Sequence, residues 1–355
     1  MSAGSPPPGS STATGPGAAT PLGLDLARVR AFLDRARPGL AGGPLHAELI
    51  EGGRSNLTYV VGDGVGRWVL RRPPLGHVLA TAHDMGREYR VISALHPTAV
   101  PVPEPLALCS DAAVTGAPFY VMEHVAGTPY RDAAQLAALG PRATRDLLFD
   151  LVDTLVELHA VDPAAVGLAD FGRPDGYLER QLRRWSRQWE QSTSREVAGV
   201  GELLGRLNRW LPASPAPTVL HGDYRLDNVL VGADRTISAV LDWEMSTLGD
   251  PLTDLGLLAM YTEQPEVAHS PLSTTRGAPG HPSGAELIER YAARSGRDVG
   301  RVSWYTAFAF FKLAVIAEGI HYRYTLGQTV GAGFDRIGAL VPLLLDSGLR
   351  TLEEG

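Results

Sequence analysis

Lysine is almost missing from this chain. Of its 32 basic residues only Lys312 is a lysine, so 31 are arginine and the cationic roles elsewhere fall to a guanidinium. Arginine brings a planar fork of donors, whereas lysine is a compact point charge. Cysteine is equally scarce. Cys109 alone excludes an intrachain disulfide framework and a multi-cysteine zinc site, and it agrees with a reducing compartment, with the cytoplasm as the default. Long apolar runs are lacking too: 306–317 is interrupted by Lys312 and falls short of the about 20 residues that a membrane span needs. The start, 1–23, is rich in Ser, Pro, Gly, Ala and Thr without a basic segment leading into an apolar one, so it reads as a disordered tail rather than a secretory signal. A net charge of -7 argues against the basic surface that nucleic acid requires. A globular enzyme with a small-molecule partner is expected, with no nucleic acid and no membrane, and with its oligomeric state open.

What is present has a clear order along the chain. Segment 24–37 spaces Leu26, Val29, Phe32 and Leu33 as a helix face and stops at Pro38-Gly39. Two β-like runs, 57–61 and 68–70, flank the turn residues Gly62-Asp63-Gly64 and predict a hairpin. A helix is expected over 82–95, an extended proline-rich connection over 97–105, and a second hairpin from 106–109 and 119–125. Beyond Gly127-Thr128-Pro129 the pattern is mainly helical, with long segments at 142–159 and 174–191. Two short strands, 218–221 and 239–241, are expected to form a hairpin-like pair. Helical patterns then follow at 250, 285–295, 303–325 and 334–349, with a Ser/Pro/Gly-rich surface loop at 269–284.

The chemistry concentrates in Val219-Leu220-His221-Gly222-Asp223-Tyr224-Arg225-Leu226-Asp227-Asn228-Val229-Leu230 and in Ala239-Val240-Leu241-Asp242-Trp243-Glu244. Two apolar strand-like pieces present a polar loop, and a further aspartate leaves the end of the next apolar strand. Phosphoryl transfer needs a carboxylate to orient the attacking hydroxyl and oxygen ligands to hold magnesium against the phosphates. Asp223 suits the first task; Asn228, five residues on, and Asp242, 14 further, suit the second. A His-Gly-Asp triplet alone would be an ordinary turn with a satisfied buried histidine. A hydrolytic metal site on His221 and Asp223 is a rival that lacks the other histidines such sites recruit.

The string His221-Gly222-Asp223-Tyr224-Arg225-Leu226-Asp227-Asn228, with Leu241-Asp242-Trp243-Glu244 and Gly249-Asp250-Pro251 to Asp254-Leu255, resembles the aminoglycoside phosphotransferase family, relatives of choline kinases and more distantly of protein kinases. The similarity runs from about 45 to 324. It implies an α+β, two-lobed, protein-kinase-like fold with a small β-rich N-lobe and a larger helical C-lobe, the nucleotide lying between them. The expected division is 1–23 as tail, 24–123 as N-lobe and nucleotide roof, and 124–355 as C-lobe with the catalytic loop, metal and acceptor site. The resemblance makes Asp223 the catalytic aspartate, and Asn228 and Asp242 the ligands of Mg2+, with ATP or GTP as co-substrate.

It also assigns the rest of the nucleotide site. Gly53, Ser55 and Asn56 belong to a short loop approaching phosphates, which by itself reads as a plain hairpin turn. Arg71 stands where kinases carry a third-strand lysine, with Glu88 as its natural partner; Arg72, its neighbour, points to the opposite strand face. Lys312 lies far along the chain from this roof and cannot fill the place. Glu123 and Val125 match the lobe connector, whose backbone meets the purine. Arg225 falls where a phosphate-touching lysine stands, or else pairs with Asp227 or Glu244. Asp250 and Asp254 are expected to brace the loops.

The acceptor is less sharply written. An arginine- and tryptophan-rich helix over 177–189, with Val69-Leu70-Arg71-Arg72-Pro73-Pro74 and Trp243–Pro251, is similar to the branch of the family associated with acyl-CoA dehydrogenases. That implies a hydroxy acid or hydroxyacyl-CoA as acceptor, with Arg183, Arg187 and Glu244 as candidate contacts. The plain alternative for the helix is a solvated arginine face over buried aromatics. An antibiotic phosphotransferase would need an acidic pocket for a polycationic substrate, and a nucleotide-binding pseudoenzyme remains the alternative from another class.

Overall fold

In the computed structural model the helix α1 (Leu26–Ala36) begins where the Asp25 carboxylate accepts from the Arg28 amide, a side-chain cap on an N–H that the helix itself cannot satisfy. The structure describes residues 23–50, 56–75, 84–193, 195–265, 275–328 and 334–354. They fall into two compact units, Met1–Met85 with Leu106–Val121, and Gly86–Pro105 with Met122–Gly355. The architecture is α+β, a small sheet unit and a larger helical one, as the sequence predicts.

The sheet has five strands: β1 (His46–Leu49), β2 (Leu57–Gly62), β3 (Arg67–Arg72), β4 (Pro105–Cys109) and β5 (Phe119–Glu123), in the order β1-β2-β3-β5-β4. The chain passes through α2 (Met85–Leu95) before β4, and through the one-turn α3 (Ala112–Thr115) before β5. The predicted β2–β3 hairpin pairs Leu57 with Arg72 and Gly62 with Arg67. Its turn is built as the sequence suggests: Gly64 takes a left-handed φ of 90°, and Asp63 Oδ1 accepts from the Val65 and Gly66 amides. Alternation puts Tyr59 and Val61 on one face with Trp68 and Leu70, where Val29 and Leu33 of α1 join the core and Phe32 meets Phe119 edge-on at 5.3 Å. Arg72 shares that buried face. Its guanidinium donates to the carbonyls of Gly23, Thr115 and Pro73, a structural strut inside the sheet unit.

The helical unit continues with α4 (Ala133–Leu139), α5 (Pro141–Ala160), α6 (Tyr177–Ser192) and α7 (Val200–Arg209). After the catalytic-loop region come α8 (Leu252–Glu263), α9 (Gly284–Ser295), α10 (Val302–Thr325) and α11 (Ile337–Glu354). α10 is apolar nearly all round, as befits a helix enclosed by α6, α8 and α11. The strand pairing differs from the predicted one. β6 (Thr218–Leu220) pairs with β9 (Thr247–Gly249), while β7 (Val229–Val231) pairs with β8 (Ile237–Val240). The two predicted strands therefore do not pair with each other; each takes a three-residue partner too short to show a period of its own. Among the described residues no helix is long and apolar enough to cross a membrane.

Candidate active site

The loop after β6 is held from beneath by one carboxylate. Asp254 on α8 is buried and accepts from the His221 amide (2.7 Å) and the Gly222 amide (2.9 Å). His159 Nε2 lies 3.4 Å from the same carboxylate, and Tyr291 bonds its Nδ1 at 2.7 Å. Burial favours the neutral form of both partners; it lowers the His159 pKa, while the hydrogen bonds from His159 and the Gly222 N–H outweigh it at Asp254 and hold that carboxyl below its ordinary value. The bracing role expected of Asp254 is thus visible. Asp250 accepts from the Leu252 amide at the start of α8 (3.0 Å) and from Tyr305 at 2.6 Å.

Gly222 is required twice over. Its φ is 88°, and a Cβ there would come within 2.6 Å of the Met245 carbonyl. His221 Nε2 lies 2.8 Å from the Leu241 carbonyl, and Nδ1 accepts from the Asp223 amide at 3.2 Å. A carbonyl only accepts and an amide only donates, so the ring is the neutral Nε2–H tautomer with both nitrogens engaged. This leaves no ring nitrogen for the hydrolytic metal site weighed as a rival, and no cluster of three or more His, Cys, Asp or Glu able to hold a metal occurs among the described residues.

Both oxygens of Asp223 are held. Tyr261 Oη donates to Oδ1 at 3.2 Å, and Asn228 Nδ2 donates to Oδ2 at 2.9 Å while also reaching the Asp223 carbonyl at 2.8 Å. Burial first, and the Asp223 charge next, push the Tyr261 hydroxyl well above its ordinary value, so it stays a donor. Arg225 Nη2 pairs with Asp227 at 3.1 Å, its Nε lies 3.8 Å from Asp223, and its guanidinium sits 5.0 Å from the Tyr261 ring centroid. Burial opposes that charge, but Tyr261, Asp223 and Asp227 raise its pKa overall. The pairing with Asp227 is one of the two arrangements the sequence allows.

The β7–β8 hairpin brings Asn228 and Asp242 to one end. Val229 faces Val240, and the Leu241 amide donates to the Asn228 carbonyl at 2.8 Å. Asp242 follows with φ 68° and ψ 58°, a left-handed conformation that costs a non-glycine residue roughly 1 kcal/mol. Such outliers concentrate at functional sites. Glu244 is half-buried in the next turn, and Trp243 packs against His221 at 4.8 Å between ring centroids. Arg87 of α2 ties this turn down: it donates to the carbonyls of Ser246 and Phe171 and lies 3.9 Å from the Phe171 ring centroid.

The remaining predicted residues are spread more widely. Gly53 and Ser55 lie outside the described residues, and Asn56 is buried at the start of β2. Arg71 is half-buried on the β3 face opposite Arg72, and Glu88 is buried in α2. The Glu123 amide donates to the Glu104 carbonyl at 2.9 Å, and Val125 follows, half-buried. Arg183 and Arg187 stand on the exposed face of α6, whose buried face carries Leu182, Trp185 and Trp189, and none of the bonds around Asp223 includes them. Tyr261, Arg87 and His159 escape sequence reading altogether, because each acts across a gap of 38 residues or more on a partner that no spacing rule connects.

A family model described as the phosphotransferase enzyme family matches residues 46–305. Acyl-CoA dehydrogenase family member 11 of Gallus gallus is 34% identical over 337 residues, which cover 92% of this chain and 43% of that protein, so the chain spans less than half of this relative. A Ralstonia eutropha structure assigned to the aminoglycoside phosphotransferases superposes with a TM-score of 0.81 and 31% identity, covering 93% of this chain and 99% of the other. An aminoglycoside phosphotransferase in ternary complex with AMP-PNP and hygromycin B shares the fold, with a TM-score of 0.60 at 16% identity over 92% of this chain and 99% of that one.

Proposed function

Because this chain belongs to the phosphotransferase enzyme family, we propose that it is a magnesium-dependent small-molecule kinase that moves the γ-phosphoryl group of ATP or GTP onto an acceptor hydroxyl. The observation that carries the reading is the bonded set of Asp223, Asn228 and Tyr261 at the end of the hairpin that also carries Asp242.

Asp223 is fixed by two donors and still has lone pairs for an incoming O–H. It orients the acceptor hydroxyl and takes its proton as the new P–O bond forms. Asn228 turns its amide nitrogen to Asp223, which leaves Oδ1 for a cation, and the Asp242 carboxylate adds hard oxygen donors of the kind magnesium prefers. Magnesium held by Asn228 and Asp242 would offset the negative charge of the phosphates. Arg71 supplies the cation that other kinases take from lysine, with Glu88, Asn56 and the loop containing Gly53 and Ser55 completing the phosphate side. The Glu123 carbonyl and Val125 serve the purine. Arg225, fixed by Asp227, holds positive charge beside Asp223.

For the acceptor we favour a hydroxy acid or hydroxyacyl-CoA, supported by the similarity to a protein named for acyl-CoA chemistry. The exposed Arg183 and Arg187 suit the phosphates of a CoA tail, and Glu244 lies next to the Asp242 turn. The test is a phosphate-transfer screen with ATP and GTP over hydroxyacyl-CoAs, hydroxy acids, aminoglycosides and choline-like alcohols. Magnesium-dependent turnover is expected, and Asp223→Asn should cut it by about 10²-fold or more while nucleotide binding persists. Near-wild-type turnover in a folded Asp223→Asn protein, or binding of nucleotide without transfer to any acceptor, would sink the kinase reading.

A further inference from the structure

Next to Asp223 the helical unit opens a cleft of about 380 Å3, its open mouth included. Two residues of its wall reach the catalytic carboxylate: Tyr261 through the 3.2 Å hydrogen bond to Oδ1, and Arg225 with Nε 3.8 Å from Oδ2. Asp223 is not itself part of the wall, so the cleft lies one side chain away from the reacting hydroxyl. Much of the lining is apolar. Leu148 and Leu151 of α5, Leu226 of the catalytic loop and Leu258 of α8 contribute to it, all buried. The polar groups beside them are engaged with protein partners. Arg225 Nη2 pairs with Asp227, which cancels both charges, and the Thr262 hydroxyl donates to the Ala259 carbonyl at 2.7 Å. His281 Nδ1 lies 2.8 Å from the Pro282 carbonyl and so carries the proton, while Nε2 accepts from the Thr275 hydroxyl at 3.3 Å. Burial pulls the His281 pKa down and keeps that ring neutral. Arg225 Nε stands apart, buried without a hydrogen-bond acceptor. An occupant rich in hydroxyls or ammonium groups would give up water here and find its partners taken, whereas a methylene chain loses nothing.

Resting on the phosphotransferase reading above, we propose that this cleft holds the alkyl arm of the acceptor, an alcohol whose hydrocarbon chain lies against Leu148, Leu151 and Leu258. Its hydroxyl donates to Asp223 and accepts from Arg225 Nε, which a hydroxyl can do at once because it carries one donor and two lone pairs. Chain length on the far side of that hydroxyl is then the specificity determinant, set by leucines of two different helices. A polycationic sugar is disfavoured, since the carboxylate lining the cleft, Asp227, is already paired.

The test measures phosphate transfer by the wild-type enzyme to the free acids and CoA thioesters of 3-hydroxybutyrate, 3-hydroxyhexanoate and 3-hydroxyoctanoate, which differ in the arm alone. From butyrate to hexanoate kcat/KM should rise about fourfold for each methylene added, and a second hydroxyl in the arm, as in 3,5-dihydroxyhexanoate, should cancel the gain. Leu148→Phe narrows the cleft and should bring the three chain lengths within a factor of about three of one another, while Leu148→Ala should keep the gain through octanoate. Should Leu148→Phe not fold, Thr262→Leu narrows the same cleft from a half-buried position on α8. A flat profile in the wild type, a gain that survives narrowing, or a loss that is equal at every chain length overturns the assignment. If the wild type transfers phosphate to none of these acceptors, the acceptor reading of the preceding section fails. Calorimetric titration with 2-butanol, 2-hexanol and 2-octanol then decides the cleft: binding that tightens with length and is lost on narrowing supports it, and equal or absent binding overturns it.

Discussion

Two aspartates gather backbone N–H groups, one in each unit. Asp63, in the β2–β3 turn of the sheet unit, accepts from Val65, Gly66, Gly42 and Gly43 at 2.6–3.3 Å. Asp254, in the helical unit, accepts from His221 and Gly222 and adds His159. The bonds are chemically alike, but their surroundings are not. Asp63 lies where water can replace any amide it loses, so its bonds shape one turn. Asp254 lies where water is absent, and the groups it satisfies belong to the loop that carries Asp223. A carboxylate that organises a buried loop is bound to its partners in both directions: they need it as acceptor, and it needs them in order to stay charged.

The largest test of that contrast is Asp254→Ala. It strands the buried His221 amide, the Gly222 amide and His159, and should lower stability by about 2–5 kcal/mol, read from urea unfolding, with loss of phosphate transfer in any folded fraction. An effect near zero would show that the buried loop needs no brace. Tyr261→Phe comes next, because it removes one donor from Asp223 while keeping the ring under Arg225. It should cost under about 1 kcal/mol in stability yet reduce kcat by up to about tenfold. If stability falls while kcat holds, Tyr261 is packing only. The smallest effect belongs to Asp63→Asn. Backbone amides hold the Asp63 carboxyl well below its ordinary value, so its contribution is present above about pH 4 and fades as acid protonates it. The gap in melting temperature between wild type and variant should therefore narrow from pH 6 to pH 3; a constant gap would show that the charge is irrelevant.

The same contrast explains what the sequence makes legible. The Asp63 turn is written in three adjacent residues, and the chemistry of 221–242 is written as a string dense enough to carry a family resemblance. The order of strands is not. β6 and β8 read correctly as strands, but three-residue partners at Val229–Val231 and Thr247–Gly249 are chosen by tertiary packing rather than by periodicity. Arg183 and Arg187 stand on the solvated face of α6 while Leu182, Trp185 and Trp189 are buried on the other, a division that the spacing of the helix makes legible but that does not say what the arginines meet. Side chains that act across 38 or more residues become visible only once the chain is folded.

The lysine scarcity has a practical side for the bench. Apart from whatever amino terminus the chain carries, it contains one primary amine, and that amine stands over Trp185 on α10. An acylating reagent selective for amines has a single side chain to find, and a lysine-directed protease a single peptide bond to cut. One mass increment on one peptide is therefore a complete footprint of this position, readable without mutation and without a substrate.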